Sequence, residues 1–232
     1  MKISYTSLFP KNPVQHEYKN LDYFIESSKF YNINHNFSFS FFSGHDEPLD
    51  YLKSIYGMEY KYGKVDFKYF ENMNEERGHE ISFCKASIFN HNIVLHNTYD
   101  YLFFTDSDIR IDSKDIYNLC NILEQNKKEN KETFINIPYV LRNLKKVSPA
   151  SFGCYIIPSS ILKDNPDLWE VIYNTQIVDD KLCRIGAPDC NVRNALLNRG
   201  YKELVARTIY TRHYTSDTSY IEYDNEKCKE VF

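Results

Sequence analysis

The stretch "TYDYLFFTDSDIRIDSKDIYNL" (98–119) decides the fold. Its first half is a short apolar run, 99–105, with the length and residue types of a buried strand. Its second half reads as a helix over 113–126, with Ser113 as the expected N-cap. Between them stand Asp106 and Asp108. Two like charges one residue apart repel each other and have to be held in water or against a cation. Ligands of open parallel α/β sheets bind at the carboxyl ends of the strands, where this pair falls. Extended backbone sends residues 106 and 108 to the same side. Two carboxylates aimed at one point suit Mg²⁺ or Mn²⁺, hard cations that share oxygen ligands with substrate phosphates. The plainer alternative is a solvated turn leading into a helix.

Outward from this stretch, strands and helices alternate. Strands are expected at 2–9 and 37–44, the latter alternating Phe and Ser, with helices at 16–31 and 48–57. Strand and loop are expected at 60–70, and a helix at 80–97. That order implies right-handed βα units on a parallel sheet. Further along, 133–141 and 151–162 read as strands, 187–201 as a helix stopped by Gly200, and 203–215 as a late strand. Residues 216–232 read as a polar, irregular tail.

The 232 residues suit one domain with a sizeable core. With 42% hydrophobic and 26% charged residues the chain is globular, and its abundant Tyr, Phe, Asn and Lys read first as compositional bias. A net charge of −4 and no basic patch argue against a nucleic-acid partner. None of the six cysteines forms a CxxC pair, so they read as small core residues rather than zinc ligands. No apolar run is long enough for a membrane span, and "MKISYTSLFP" lacks the apolar core of a signal peptide. A cytoplasmic location is the expectation.

The segment "YDYLFFTDSDIRI" resembles the strand and DxD motif of GT-A-type glycosyltransferases, which use nucleotide-sugar donors. "IFNHNI" (88–93) resembles that family's "ARNxGI" helix; Asn90 and Ile93 match, while the family's Arg falls on Phe89 and its Gly on Asn92. "APDCNVRNALLNRGYKEL" (187–204) resembles "EDxxLxxRLxxxGY", whose second acid stands eleven residues before its Gly; eleven before Gly200 is Asp189, preceded by Pro188 in place of the first acid. "IYTRHY" (209–214) resembles the late strand that carries a metal-binding His, and "SFGCYIIPSSIL" the glycine-containing segment on the acceptor side.

The resemblance implies a GT-A-like, Rossmann-type α/β/α sandwich around a mainly parallel sheet. It implies a single catalytic domain over 1–215, with a nucleotide-binding half to about 126 and an acceptor half over 127–215. Asp106, Asp108 and His213 would hold Mn²⁺ or Mg²⁺. Thr6, Asp46, Lys85, Asn90, Asp106 and Ser107 would contact a UDP- or GDP-linked sugar, Lys85 at the diphosphate. Gly153 and Trp169 would face the acceptor, a glycan or another hydroxyl compound, although Trp169 reads equally as a core anchor. Asp189 would be the base of an inverting reaction; Asp179 and Asp180 are its rivals, and without a base the reaction would be retaining.

Three other readings compete. A sugar nucleotidylyltransferase normally needs a Gly-rich, basic loop after the first strand, and "SLFPKNPVQ" has no Gly and one Lys. A metal-dependent nuclease needs a basic groove. A binding module would keep the fold without the chemistry.

Overall fold

A computed structural model of the chain describes residues 1–65, 77–125, 132–140, 147–148, 153–172, 175–178, 181–184, 188–214 and 216–223; within these, side chains are described except at 77–83, 140, 147–148, 172, 175–178, 181–184 and 188–189. The central sheet has seven strands. Six run in one direction, the first four of them being β1 (Ile3–Phe9), β2 (Phe37–Ser43), β3 (Lys61–Lys64) and β4 (Tyr101–Asp106). A two-residue strand, β5 (Ile109–Arg110), follows β4, and β6 (Thr133–Asn136) and the short β7 (Tyr139–Val140) and β8 (Val147–Ser148) come next. Strand β9 (Cys154–Pro158) lies between β4 and β6, antiparallel to both. Beyond a small hairpin of β10 (Thr175–Val178) and β11 (Lys181–Arg184), β12 (Lys202–Val205) closes the far edge parallel to β6. The order is β12-β6-β9-β4-β1-β2-β3. Strands β13 (Thr211–Tyr214) and β14 (Tyr220–Tyr223) form a hairpin whose first strand pairs with β5.

Period-two alternation sorts the sheet into two cores. Tyr5, Phe39, Phe41, Phe103, Cys154 and Ile156 face one side. That side is covered by α1 (Gln15–Phe30), α2 (Asp46–Tyr56) and α4 (Ser113–Gln125), through Phe24, Leu52 and Ile116. Phe42, Leu102, Phe104, Tyr155 and Ile157 face the other. Helices α3 (Arg77–Val94), α5 (Ser159–Asp164), α6 (Leu168–Ile172) and α7 (Pro188–Asn198) cover it. This is the expected α/β/α sandwich, mainly parallel.

Three local expectations change. Residues 151–162 divide into a strand and a helix, because Pro158 at the end of β9 starts α5. The segment after 215 is not irregular throughout: β14 pairs with β13 over Tyr220–Tyr223. The cap of α4 is Asp112, not Ser113. Asp112 accepts the Lys114 N–H at 2.8 Å, while the Ser113 hydroxyl is buried against Ser27. The cysteine reading fits Cys84, Cys120 and Cys154, which are buried, and burial pushes the thiols of Cys120 and Cys154 well up. Among the described residues no helix is long and apolar enough to cross a membrane.

Asp112→Ala is expected to cost about 1 kcal/mol in urea unfolding, and Asp112→Asn much less, because the amide oxygen still caps.

Candidate active site at the carboxyl edge of the sheet

Strand β4 delivers Asp106 to the edge where β1, β2 and β3 also end. The chain then turns at Ser107 and Asp108 before β5, so the period-two expectation for the two carboxylates does not hold. They have different partners. Lys85 Nζ on α3 lies 3.1 and 3.3 Å from the two carboxylate oxygens of Asp106. That lysine is only 5% exposed, and its ammonium sits 5.5 Å from the centre of the Phe104 ring. A cation so buried depends on its counter-charge, and the ring face adds to the attraction. Asp108 Oδ2 lies 3.4 Å from His213 Nε2. Strand β13 brings that histidine in by pairing with β5, His213 opposite Ile109, and the Tyr214 N–H donates to the Asp108 carbonyl at 2.9 Å. The ring of Tyr139 meets His213 edge-on, with centroids 5.2 Å apart.

Gly153 belongs to this corner. Its carbonyl accepts the Asp106 N–H at 2.8 Å. A Cβ at 153 would collide with the Tyr139 hydroxyl and stand 2.7 Å from Asp106 Oδ2. Gly153, expected on the acceptor side, lies against the Asp106 carboxylate.

The other residues expected at ligand contacts each have a defined place in the fold. Thr6 is fully buried in mid-strand, three residues short of the end of β1. Ser107 is also buried; its hydroxyl donates to Glu17 at 2.8 Å and its carbonyl accepts from Asn20 at 3.1 Å, so it ties the turn to α1. Asn90 is exposed, five positions after Lys85 on α3, which is about 140° around the helix and about 7.5 Å further from the edge. Trp169 packs, half buried, against the second core, in keeping with its reading as an anchor. Asp46 is exposed at the first residue of α2, beyond the end of β2, in an ion pair with Lys64 of β3. Asp189 is the second residue of α7, and its side chain lies outside the described residues, as do Asp179 and Asp180.

The same geometry tests the metal set. Among the described residues no three His, Cys, Asp or Glu side chains converge on one cation position. Asp108 and His213 do converge as a pair; Asp106 is engaged by Lys85. An oxygen–nitrogen pair fits a divalent cation that completes its shell with phosphate oxygens and water.

Residues that the sequence did not point to are Glu17, Asn20 and Tyr139. Glu17 is a buried acid in the first turn of α1, and its other oxygen accepts the Val14 N–H at 2.8 Å. That is half of a capping box, hidden because Val14 replaces the usual Ser or Thr.

No protein-family model matches the chain, and no curated protein matches it. Among solved structures that share the fold is a glycosyltransferase involved in glycosylation of the major capsid of PBCV-1, with a TM-score of 0.50 and 11% identity over 88% of this chain and 82% of that one. Another is a cytidylyltransferase from Leptospira borgpetersenii, with a TM-score of 0.51 and 14% identity over 95% of this chain and 81% of that one. At such identities the likeness is one of fold alone: the chain has a GT-A-like α/β/α fold.

Gly153→Ala is expected to destabilise by about 1–3 kcal/mol through overpacking, read in urea unfolding. Adding Tyr139→Phe removes the atom the new methyl strikes and recovers part of that loss; no recovery would place the crowding elsewhere.

Proposed function

We propose, from the premise of this fold, that the chain moves a sugar from a UDP- or GDP-linked donor to a hydroxyl of a glycan or other acceptor. The observation that carries the reading is the Asp108–His213 pair beside the Lys85–Asp106 pair, at the edge where parallel α/β sheets bind ligands. Asp108 and His213 would hold Mn²⁺ or Mg²⁺, Mn²⁺ being favoured by a ligand set that includes an imidazole nitrogen. Bound there, the ion supplies Lewis-acid stabilisation of the diphosphate leaving group.

The chain's own residues do the remaining work. Lys85 neutralises Asp106, so an incoming diphosphate meets one less net negative charge at this corner. Asp46, exposed beyond the end of β2, would accept a hydrogen bond from a ribose hydroxyl or a base N–H. Asp189 takes the proton of the acceptor hydroxyl as that oxygen attacks the anomeric carbon, which makes the reaction inverting. Its place in the chain supports the role: α7 turns at Gly200 directly into β12, which runs in the same direction as β4. The first turn of α7 therefore starts toward the edge that holds Asp106.

The cytidylyltransferase of like fold supports a second reading, nucleotidyl transfer to a sugar phosphate. The connection from β1 to α1, "PKNPV" (10–14), has no Gly and a single Lys to cradle a triphosphate, which favours sugar transfer.

Thermal unfolding with Mn²⁺ and UDP-, GDP- or dTDP-sugars tests the proposal. One nucleotide sugar at about a hundred times its Kd is expected to add about 2.7 kcal/mol, a rise in Tm of about 5–10 °C, only when Mn²⁺ is present. Asp108→Ala should abolish the rise. A rise with CTP and none with any nucleotide sugar would move the assignment to nucleotidyl transfer.

A further inference from the structure

The structure assigns a positioning role to two residues outside the site, His16 and Asp217: together they form a latch that sets the spacing of Asp108 and His213. The inference rests on the reading of that pair as the cation site, but the latch itself is visible without it.

Asp217 lies in the turn between β13 and β14, 201 positions along the chain from His16. Its Oδ1 accepts the backbone N–H of His16 at 2.8 Å and lies 3.1 Å from His16 Nδ1. Helix α1 has no side-chain cap of its own at Val14. Asp217 thus answers one of the unsatisfied N–H groups of the first turn, where the helix dipole favours a carboxylate. The His16 ring is 3% exposed and stacks on Tyr214, with centroids 5.5 Å apart and planes 13° apart. A carboxylate oxygen at Nδ1 fixes the proton on that nitrogen in the neutral ring, and Nε2 is buried with no hydrogen-bond partner among the described residues. The ring is therefore held by Asp217 and Tyr214.

The consequence for the site follows from what α1 holds. Its first turns grip Ser107, beside Asp108, through Glu17 and Asn20. Through His16 they grip the hairpin whose first strand carries His213. One helix end thus fixes both members of the Asp108–His213 pair. With the latch opened, β13 keeps its pairing to the two-residue β5, and the hairpin turn loses its anchor.

The test uses the full chain, Mn²⁺ alone as probe, and two readouts: Mn²⁺ affinity by electron paramagnetic resonance, and hydrogen exchange at the Tyr214 amide relative to the Phe103 amide in the central sheet. Asp217→Ala is expected to weaken Mn²⁺ by about tenfold or more, the usual effect of losing a group that orients a ligand, and to speed exchange at Tyr214. Asp217→Asn keeps an acceptor oxygen for both His16 N–H groups and should restore most of both. Unchanged Mn²⁺ affinity in Asp217→Ala overturns the role, whatever the exchange shows. If the wild-type chain takes up no Mn²⁺, the cation reading itself fails. Exchange at Tyr214 then decides the latch: unchanged exchange overturns it, and faster exchange in Asp217→Ala upholds it.

Discussion

A buried strand that ends on carboxylates needs positive charge or hydrogen-bond donors at its tip, and the carboxyl edge of this sheet is organised around that need. Asp106 is met by a lysine from α3 and Asp108 by a histidine from β13. The turn between them is held by an acid and an amide from α1. These elements are remote in sequence and meet only because the parallel sheet brings the ends of its strands to one edge. The charges at the edge and the topology of the sheet are therefore one requirement. A helix or hairpin moved away from this corner would leave a part-buried charge without its partner.

Much of this was legible in the residues. The alternation of apolar runs with helical patterns gave the layers and the parallel sheet, and the Phe–Ser alternation of 37–43 marks one face toward Phe24 and one toward α3. The acids at 106 and 108 and the late histidine at 213 fall at one corner of the fold, as the resemblance to the GT-A motif strand and late strand implied.

What was not legible depends on long-range contacts or on the choice between strand and loop. Thr6 was expected at a ligand contact although it falls inside the strand expected over 2–9. It is a strand residue on the α3 side of the sheet, near Ser4, whose hydroxyl reaches Asn92. Small polar side chains there leave room for the helix to pack closely. Ser107 looked available to a ligand because its partner, Glu17, lies ninety positions away. The two acids diverge because a turn begins between them, which a period-two count does not foresee. Asp217 gave no signal at all, since an acid in a Ser- and Thr-rich turn is ordinary and its partner is at the other end of the fold.

The reversed strand β9 has a consequence for how the protein is made. Strands β1 to β4 are complete once Asp106 has been synthesised, but the open side of β4 stays uncovered until Pro158 has followed, about fifty residues later. At ordinary ribosomal speeds of about 5–20 residues per second that is roughly 3–10 seconds. During that interval the nascent chain presents "YLFFT" (101–105) as a bare, apolar, proline-free edge, the kind that recruits a neighbouring strand. Cys154 to Ile157 give the edge its proper partner and extend both faces of the sheet. Pairing of this one strand, reversed in a sheet otherwise parallel, is what closes that edge.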